Sequence, residues 1–187
     1  MKLKTVLGLG MAAAMMSATP LMAAEYVIDR EGQHANVNFK ASHLGFSYIT
    51  GRFNDFEGSF SHDPDNPSAS KVSVTINVRS LDTNHAGRDK TLRSEQFFEV
   101  AKYPTITFES TGYVAGSGGG KLMGDLTIHG ITNTVTIDVK HVGEGPDPWG
   151  GYRSGFEGTI MLTASDYGLP EWVGDIEISL NVEGVRQ

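Results

Sequence analysis

The sequence predicts an all-β protein, an eight-stranded antiparallel barrel with one helical insert between strands 3 and 4. Two observations lead to this class. Segments in which apolar and polar residues alternate recur along the chain, and each has only one apolar face. One charged, helix-compatible segment, residues 81–110, interrupts them. Strands with one apolar face, beside a segment that can cover a cavity, favour a protein that encloses an apolar ligand.

The first 23 residues have the order of a secretory signal. Two lysines precede an apolar stretch at 6–16, and small residues lead to Ala23. The apolar stretch is short for a bilayer span, which needs about 20 residues, so a membrane anchor is the weaker alternative. Cleavage after Ala23 or Ala24 would fit this order, and we expect residues 1–23 to be the cleaved signal peptide. Residues 24–187 would then form one exported domain, in a Gram-negative cell a periplasmic one.

The composition excludes several function classes. The chain has no cysteine, which excludes a disulfide framework and a thiol catalyst. Its formal charge is −7, and loss of the two lysines of the signal segment leaves −9. A protein of this charge repels phosphate backbones at long range, so we expect no nucleic-acid partner.

The predicted strands follow one another through short connections, which favours an antiparallel meander. They comprise residues 35–43, 48–60, 72–78, 105–114, 122–129, 135–139, 156–162 and 176–182. Turn-forming residues separate them at 63–67 and 116–120, and 143–151 is predicted as a longer loop. Phe53 and Phe56 differ in parity, so a bulge is expected between them.

Strand alternation alone does not say which face lies inside. Charged residues on the polar faces favour a water-facing wall over an outer-membrane barrel with an apolar exterior. Small residues on the apolar faces would leave an inner tunnel open; they are Ala35, Ala41, Gly124 and Gly158.

The insert is predicted as a helix that begins with Thr83 or Asn84 as N-cap and ends near Glu99. Its polar start supplies candidate ligands for a head group, namely Asn84, His85 and Arg88, and Arg suits phosphate because its planar fork donates two hydrogen bonds. The candidate pocket residues are Phe39, His43, Phe46, Phe53, Phe56, Phe97, Phe98 and Phe108. The alternative is that the two adjacent phenylalanines plug the barrel as core and the charges form a solvated surface.

Neither a catalytic nor a metal site is predicted. The six histidines are scattered without paired spacing, although a haem- or metal-binding barrel stays open as an alternative. No nucleophile elbow or recognisable triad context accompanies the serines, so the chain is not expected to be an enzyme.

The chain resembles the YceI family of exported, lipocalin-like polyisoprenoid-binding proteins, particularly its proteobacterial periplasmic members. The matching stretches are GQHANVNFKASHLGFSYITGRFNDFEGSF, LDTNHAGRDKTLRSEQFFEVAKYPTITFES, GDLTIHGITNTVTIDV, DPWGGYRSGFEG and SLNVEGV. The resemblance implies an eight-stranded lipocalin-like barrel with a deep apolar pocket for polyprenyl pyrophosphates, ubiquinone or fatty amides. It implies binding without catalysis, and no cofactor beyond a bound lipid or quinone. Thr91 and Ala164 stand where many members have a histidine and a basic residue, which alters the polar groups.

The sequence therefore predicts a protein that sequesters or transports a long-chain isoprenoid amphiphile in the periplasm. Transient contact with a membrane and a homodimer are further expectations. The competing class is a structural or stress-response barrel that is filled by its own side chains and has no cargo.

Overall fold

The computed structural model describes residues 23–32 and 34–187, so the signal-peptide prediction lies almost wholly outside the described residues. The described chain contains eleven strands and one α-helix. Their bounds in chain order are β1 Ala24–Ile28, β2 Asn36–His43, β3 Ser47–Phe53, β4 Phe56–His62, β5 Lys71–Asn77, β6 Leu81–Asp82, α1 Ala86–Leu92, β7 Thr105–Gly116, β8 Gly119–Ile128, β9 Ile131–Pro146, β10 Tyr152–Thr163 and β11 Asp175–Arg186.

Eight of the strands close into a lipocalin-like barrel. The order around the ring is β1-β4-β5-β7-β8-β9-β10-β11, and β11 pairs back to β1. All of these pairings are antiparallel. Closure leaves no free edge in the ring, which confirms the predicted fold class of an all-β, eight-stranded antiparallel barrel.

Strands β2, β3 and β6 extend the sheet at one end of the barrel. Strands β1 and β2 pair with successive parts of β11, at Ile28↔Gly184 and Asn36↔Asn181 respectively. The extended structure is interrupted between β3 and β4 at residues 54–55, where the bulge was expected. Because of this interruption, Phe53 and Phe56 both point inward and are each 6% exposed.

The position and length of the helix differ from the prediction. Helix α1 follows the sixth strand, so a position between strands 3 and 4 is not confirmed. The strand numbers also differ because β1 was not predicted and the predicted strand 48–60 divides into β3 and β4. The N-cap is His85, whose Nδ1 accepts the N–H of Arg88 at 3.0 Å. The helix ends at Leu92 rather than near Glu99, since Ser94 Oγ donates to the Thr91 carbonyl at 2.6 Å and turns follow. Among the described residues, no helix is long and apolar enough to cross a membrane.

Two turns are tighter than predicted. Strands β7 and β8 remain paired up to Gly116↔Gly119, which leaves a two-residue turn in which Gly118 has a φ of 73°. Strand β9 runs to Pro146, so the predicted loop at 143–151 shrinks to residues 147–151.

The predicted inward faces are the faces that meet in the barrel interior. Gly124 does not leave space there, however. A Cβ atom at this position would overlap the Phe108 ring and lie 2.6 Å from the Glu109 carbonyl oxygen. The glycine therefore lets Phe108 lie flat against the wall, and the expectation that it keeps the tunnel open is wrong.

Candidate functional site

The inward faces of the strands enclose an apolar channel of two adjoining chambers. The mouth chamber, below α1, has a volume of about 740 Å³. The deep chamber, inside the ring of eight strands, has a volume of about 190 Å³. Five wall residues line both chambers, so the two lie directly against each other; they are Phe53, Ile106, Ile128, Leu162 and Ile178.

The polar groups of the mouth chamber lie around its opening. His43 comes from the end of β2, while His85 and Arg88 come from the start of α1. Among the described residues that line this chamber there is no Asp or Glu. The opening therefore suits a neutral or anionic group better than a cationic one.

The structure brings most of the predicted pocket residues to the channel. Phe39, His43, His85, Arg88, Phe97 and Phe98 line the mouth chamber. Phe56 and Phe108 line the deep chamber, and Phe53 lines both.

Two predicted residues lie outside the channel. Phe46 is 85% exposed, because it follows the tight turn at Leu44 and Gly45 between β2 and β3 and projects into solvent. Asn84 is also exposed, has a φ of 59°, and donates its backbone N–H to Asp82 Oδ1 at 2.8 Å. Asn84 therefore contributes to the turn before the helix rather than to the channel wall.

Arg88 is fixed by Thr83. Its Nε donates to Thr83 Oγ1 at 2.7 Å, and its Nη2 donates to the Thr83 carbonyl oxygen at 2.8 Å. The carboxylate of the buried Asp89 accepts the Thr83 hydroxyl and backbone N–H. This network orients the guanidinium at the mouth and also occupies two of its donor atoms.

The sequence and the fold have counterparts among known proteins. The sequence model of the family described as the YceI-like domain matches residues 26–184. The chain belongs to the YceI family. A UPF0312 protein of Pseudomonas aeruginosa strain LESB58 is 52% identical in an alignment of 188 positions that covers 98% of this chain and 98% of that protein.

Solved structures resemble this YceI-family chain as well. The YCEI protein of Campylobacter jejuni is 29% identical, with a TM-score of 0.71 over 78% of this chain and 90% of that one. A polyisoprenoid binding domain from Saccharophagus degradans, implicated in plant cell wall breakdown, has a TM-score of 0.63 over 89% of this chain and 100% of that one. At 16% identity, this second likeness shows the fold alone.

Sequence reasoning missed part of the mouth of the YceI barrel. Two 3-10 turns, Ala164–Tyr167 and Glu171–Val173, bring Tyr167, Leu169 and Trp172 to the chamber. The Trp172 ring meets the Phe97 ring edge-on, with centroids 5.7 Å apart. Alternation along strands carries no information on such turns; the only local signal was Gly168, which has a φ of 68° and ends the first of them.

Aromatic rings cross the far end of the deep chamber. The Phe156 ring lies 5.4 Å from Phe60, 5.3 Å from His62 and 4.9 Å from His141, measured between centroids. His62 ends β4, and β9 carries His141 on the opposite side of the ring of strands. The cluster therefore lies across this end, and burial lowers the pKa of His62 below its ordinary value.

Proposed function

We propose that this YceI protein binds a long-chain isoprenoid amphiphile, a polyprenyl pyrophosphate or a ubiquinone-like molecule, and sequesters or transports it in the periplasm. One observation carries the proposal. The barrel contains two adjoining apolar chambers, and cationic and neutral polar groups lie at the opening of the outer one. The same fold occurs in a protein described as a polyisoprenoid binding domain, which supports this class of ligand. We propose binding rather than catalysis.

The channel favours a ligand with a long apolar tail. Each methylene that moves from water into such a wall contributes about 0.8 kcal/mol. Ten methylenes would contribute about 8 kcal/mol before ordering costs, which corresponds to a micromolar dissociation constant. The tail would pass the shared wall at Phe53 and Leu162 into the deep chamber.

The head group would stay at the mouth. Arg88, His43 and His85 lie there, on a chamber wall without acidic side chains among its described residues. Since Thr83 already binds two donor atoms of Arg88, the guanidinium would contact a phosphate through its remaining N–H groups.

The rim of the mouth supports loading from a lipid surface. Leu44, Phe46 and Tyr48, on the hairpin between β2 and β3, are all exposed, and Leu44 also lines the mouth chamber. Trp172 stands on the same opening and is 71% exposed. We propose that these side chains insert into a bilayer while the ligand moves through the mouth. Because the chain is acidic, this contact would depend on apolar insertion rather than on attraction to anionic lipids.

The first experiment is extraction of the protein after purification without detergent, followed by mass spectrometry of the extract. A stoichiometric prenyl lipid or quinone is the expected result, and its head group would identify the ligand. A protein that is empty and also fails to take up prenyl lipids offered in excess would favour the rival class, a structural or stress-response barrel without cargo.

A pair of neighbouring residues gives a matched test of the channel. Leu162 lines both chambers, whereas Met161, beside it on β10, faces outward and is exposed. We expect Leu162→Trp to block uptake of a prenyl lipid by filling the junction, and Met161→Trp to bind as the parent does. Equal uptake by both variants, with unchanged melting, would remove the junction from the binding path.

The periplasmic location needs its own test. Fractionation of cells that produce the full chain should place the mature protein in the periplasm, and its N-terminal residue should be Ala24. An uncleaved chain in the membrane fraction would overturn this part of the proposal.

A further inference from the structure

We propose that His62, His141 and Glu144 form a binding site for a divalent transition-metal ion of the zinc type, at the end of the barrel opposite the mouth. Each offers one ligand atom, and the three atoms lie within 4.8 Å of one another. The isoprenoid proposal makes no use of these groups.

Closure of the barrel brings the two imidazoles together. His62 ends β4 and His141 lies on β9, which are four strands apart in a ring of eight and therefore face each other. Their ring centroids are 5.5 Å apart. A separation of 79 positions along the chain hides this pair from any spacing argument, and for this reason no metal site was predicted.

A bulge brings the carboxylate to the same side. In a regular strand, residues three apart point to opposite faces, so His141 and Glu144 should diverge. The register between β9 and β10 shifts instead, with Gly143 opposite Gly155 and His141 opposite Phe156, which leaves Val142 unpaired. The extra residue reverses the alternation and returns Glu144 to the face of His141.

The donor set fits the chemistry of zinc. Two imidazole nitrogens and one carboxylate oxygen bind Zn²⁺ at about 2.0–2.2 Å, with a fourth position left to water. Ligand atoms on one ion lie no more than about 4 Å apart, so the cluster has to contract by about 1 Å. Glu144 is exposed, so it can rotate to close the site and leaves a path for the ion from solvent.

His141 supplies the second observation. Its Nε2 is buried and has no hydrogen-bond partner among the described residues. An unpaired buried polar atom costs free energy, which coordination to a metal ion would recover.

A second group of possible ligands is already neutralised. Asp29, His34 and Glu183 also lie close together, but the guanidinium of Arg153 donates to both carboxylates. A fixed cation therefore occupies that group, which makes His34 a suitable control position.

The test is titration of the purified, chelator-treated protein with Zn²⁺ against a chromophoric competitor, and with Co²⁺ by absorption spectroscopy. We expect one Zn²⁺ ion per chain with a dissociation constant in the micromolar range or tighter, and the visible absorption of a four-coordinate Co²⁺ site. His62→Phe and His141→Phe keep an aromatic ring in the cluster and should weaken Zn²⁺ binding by at least about 100-fold. Glu144→Ala should weaken it by about tenfold or more, and His34→Ala should leave it unchanged.

Zn²⁺ binding that is unaffected in both phenylalanine variants, or that His34→Ala removes, would overturn the proposal. Binding only at millimolar Zn²⁺ would overturn it too. Glu144→Ala alters an exposed side chain, so it keeps the test valid if a phenylalanine variant does not fold. Prenyl-lipid uptake is measured separately, and failure of either proposal leaves the other standing.

Discussion

The ring of Phe98 meets the ring of Phe53 edge-on, with centroids 6.4 Å apart and an angle of 81° between the ring planes. This contact joins the turns after α1 to strand β3, at the junction of the two chambers. It attaches the cover of the mouth to the barrel wall through apolar surface rather than through charge.

We expect Phe53→Ala to lower the free energy of unfolding by about 3 kcal/mol, because it removes a buried ring together with its aromatic contacts. Because Phe53 already borders the space of the channel, the loss of unfolding free energy should lie near the low end of the range for Phe→Ala substitutions in a core. Urea denaturation measures it, with Phe46→Ala as the control. Since Phe46 is exposed, that variant should stay within about 0.5 kcal/mol of the parent. Equal losses for the two variants would contradict this account.

Arg88→Ala should weaken binding of a polyprenyl pyrophosphate by about tenfold more than binding of the uncharged polyprenol, because a charge-assisted hydrogen bond is lost only with the former. Titration of the two lipids measures the difference. Lys90→Ala removes an exposed cation from the same helix and should change neither affinity by much. Equal effects of Arg88→Ala on both lipids would exclude a phosphate contact and leave its link to Thr83 as its role.

Trp172 should report ligand entry by its fluorescence. It lies at the mouth against Phe97, whereas the other tryptophan of the chain, Trp149, lies in the turn between β9 and β10. In Trp149→Phe, a bound prenyl lipid should shift the emission to shorter wavelength, because it removes the indole from water. In Trp172→Phe the emission should not move, and a shift there would place the entrance elsewhere.

Asp29 should make stability depend on pH in the acid range. Hydrogen bonds from Arg153 and His34 lower the pKa of Asp29, whose side chain is 9% exposed, from 3.8 to about 2. A depressed carboxyl pKa stabilises the fold above pH 3.8, and this contribution is lost as the pH falls towards 2. The difference in unfolding free energy between the parent and Asp29→Asn should therefore shrink by about 2 kcal/mol between pH 5 and pH 2. A constant difference would contradict the assignment.

The inward faces could be predicted from the sequence because alternation fixes them once the strands are known. Val74, Leu126 and Leu180 line the deep chamber as their parity requires. Burial of Phe53 and Phe56 was also predictable, since their mismatched parity indicated an irregularity between them.

Features that depend on closure or on turns could not be predicted. His62 and His141 meet only because β4 and β9 stand opposite each other in a ring of eight strands. Glu144 joins them through a bulge for which a single sequence carries no signal. The helix was predicted too long because helix propensity does not account for the hydroxyl of Ser94, which donates to a carbonyl oxygen of the last helical turn.

The aromatic cluster around Phe156 gives the channel a direction. A barrel that these rings close at the far end would take up a ligand tail-first and release it head-first through the mouth. Loading and delivery would then be the same motion run in opposite senses. The direction of net transport would then depend on which surface the protein visits.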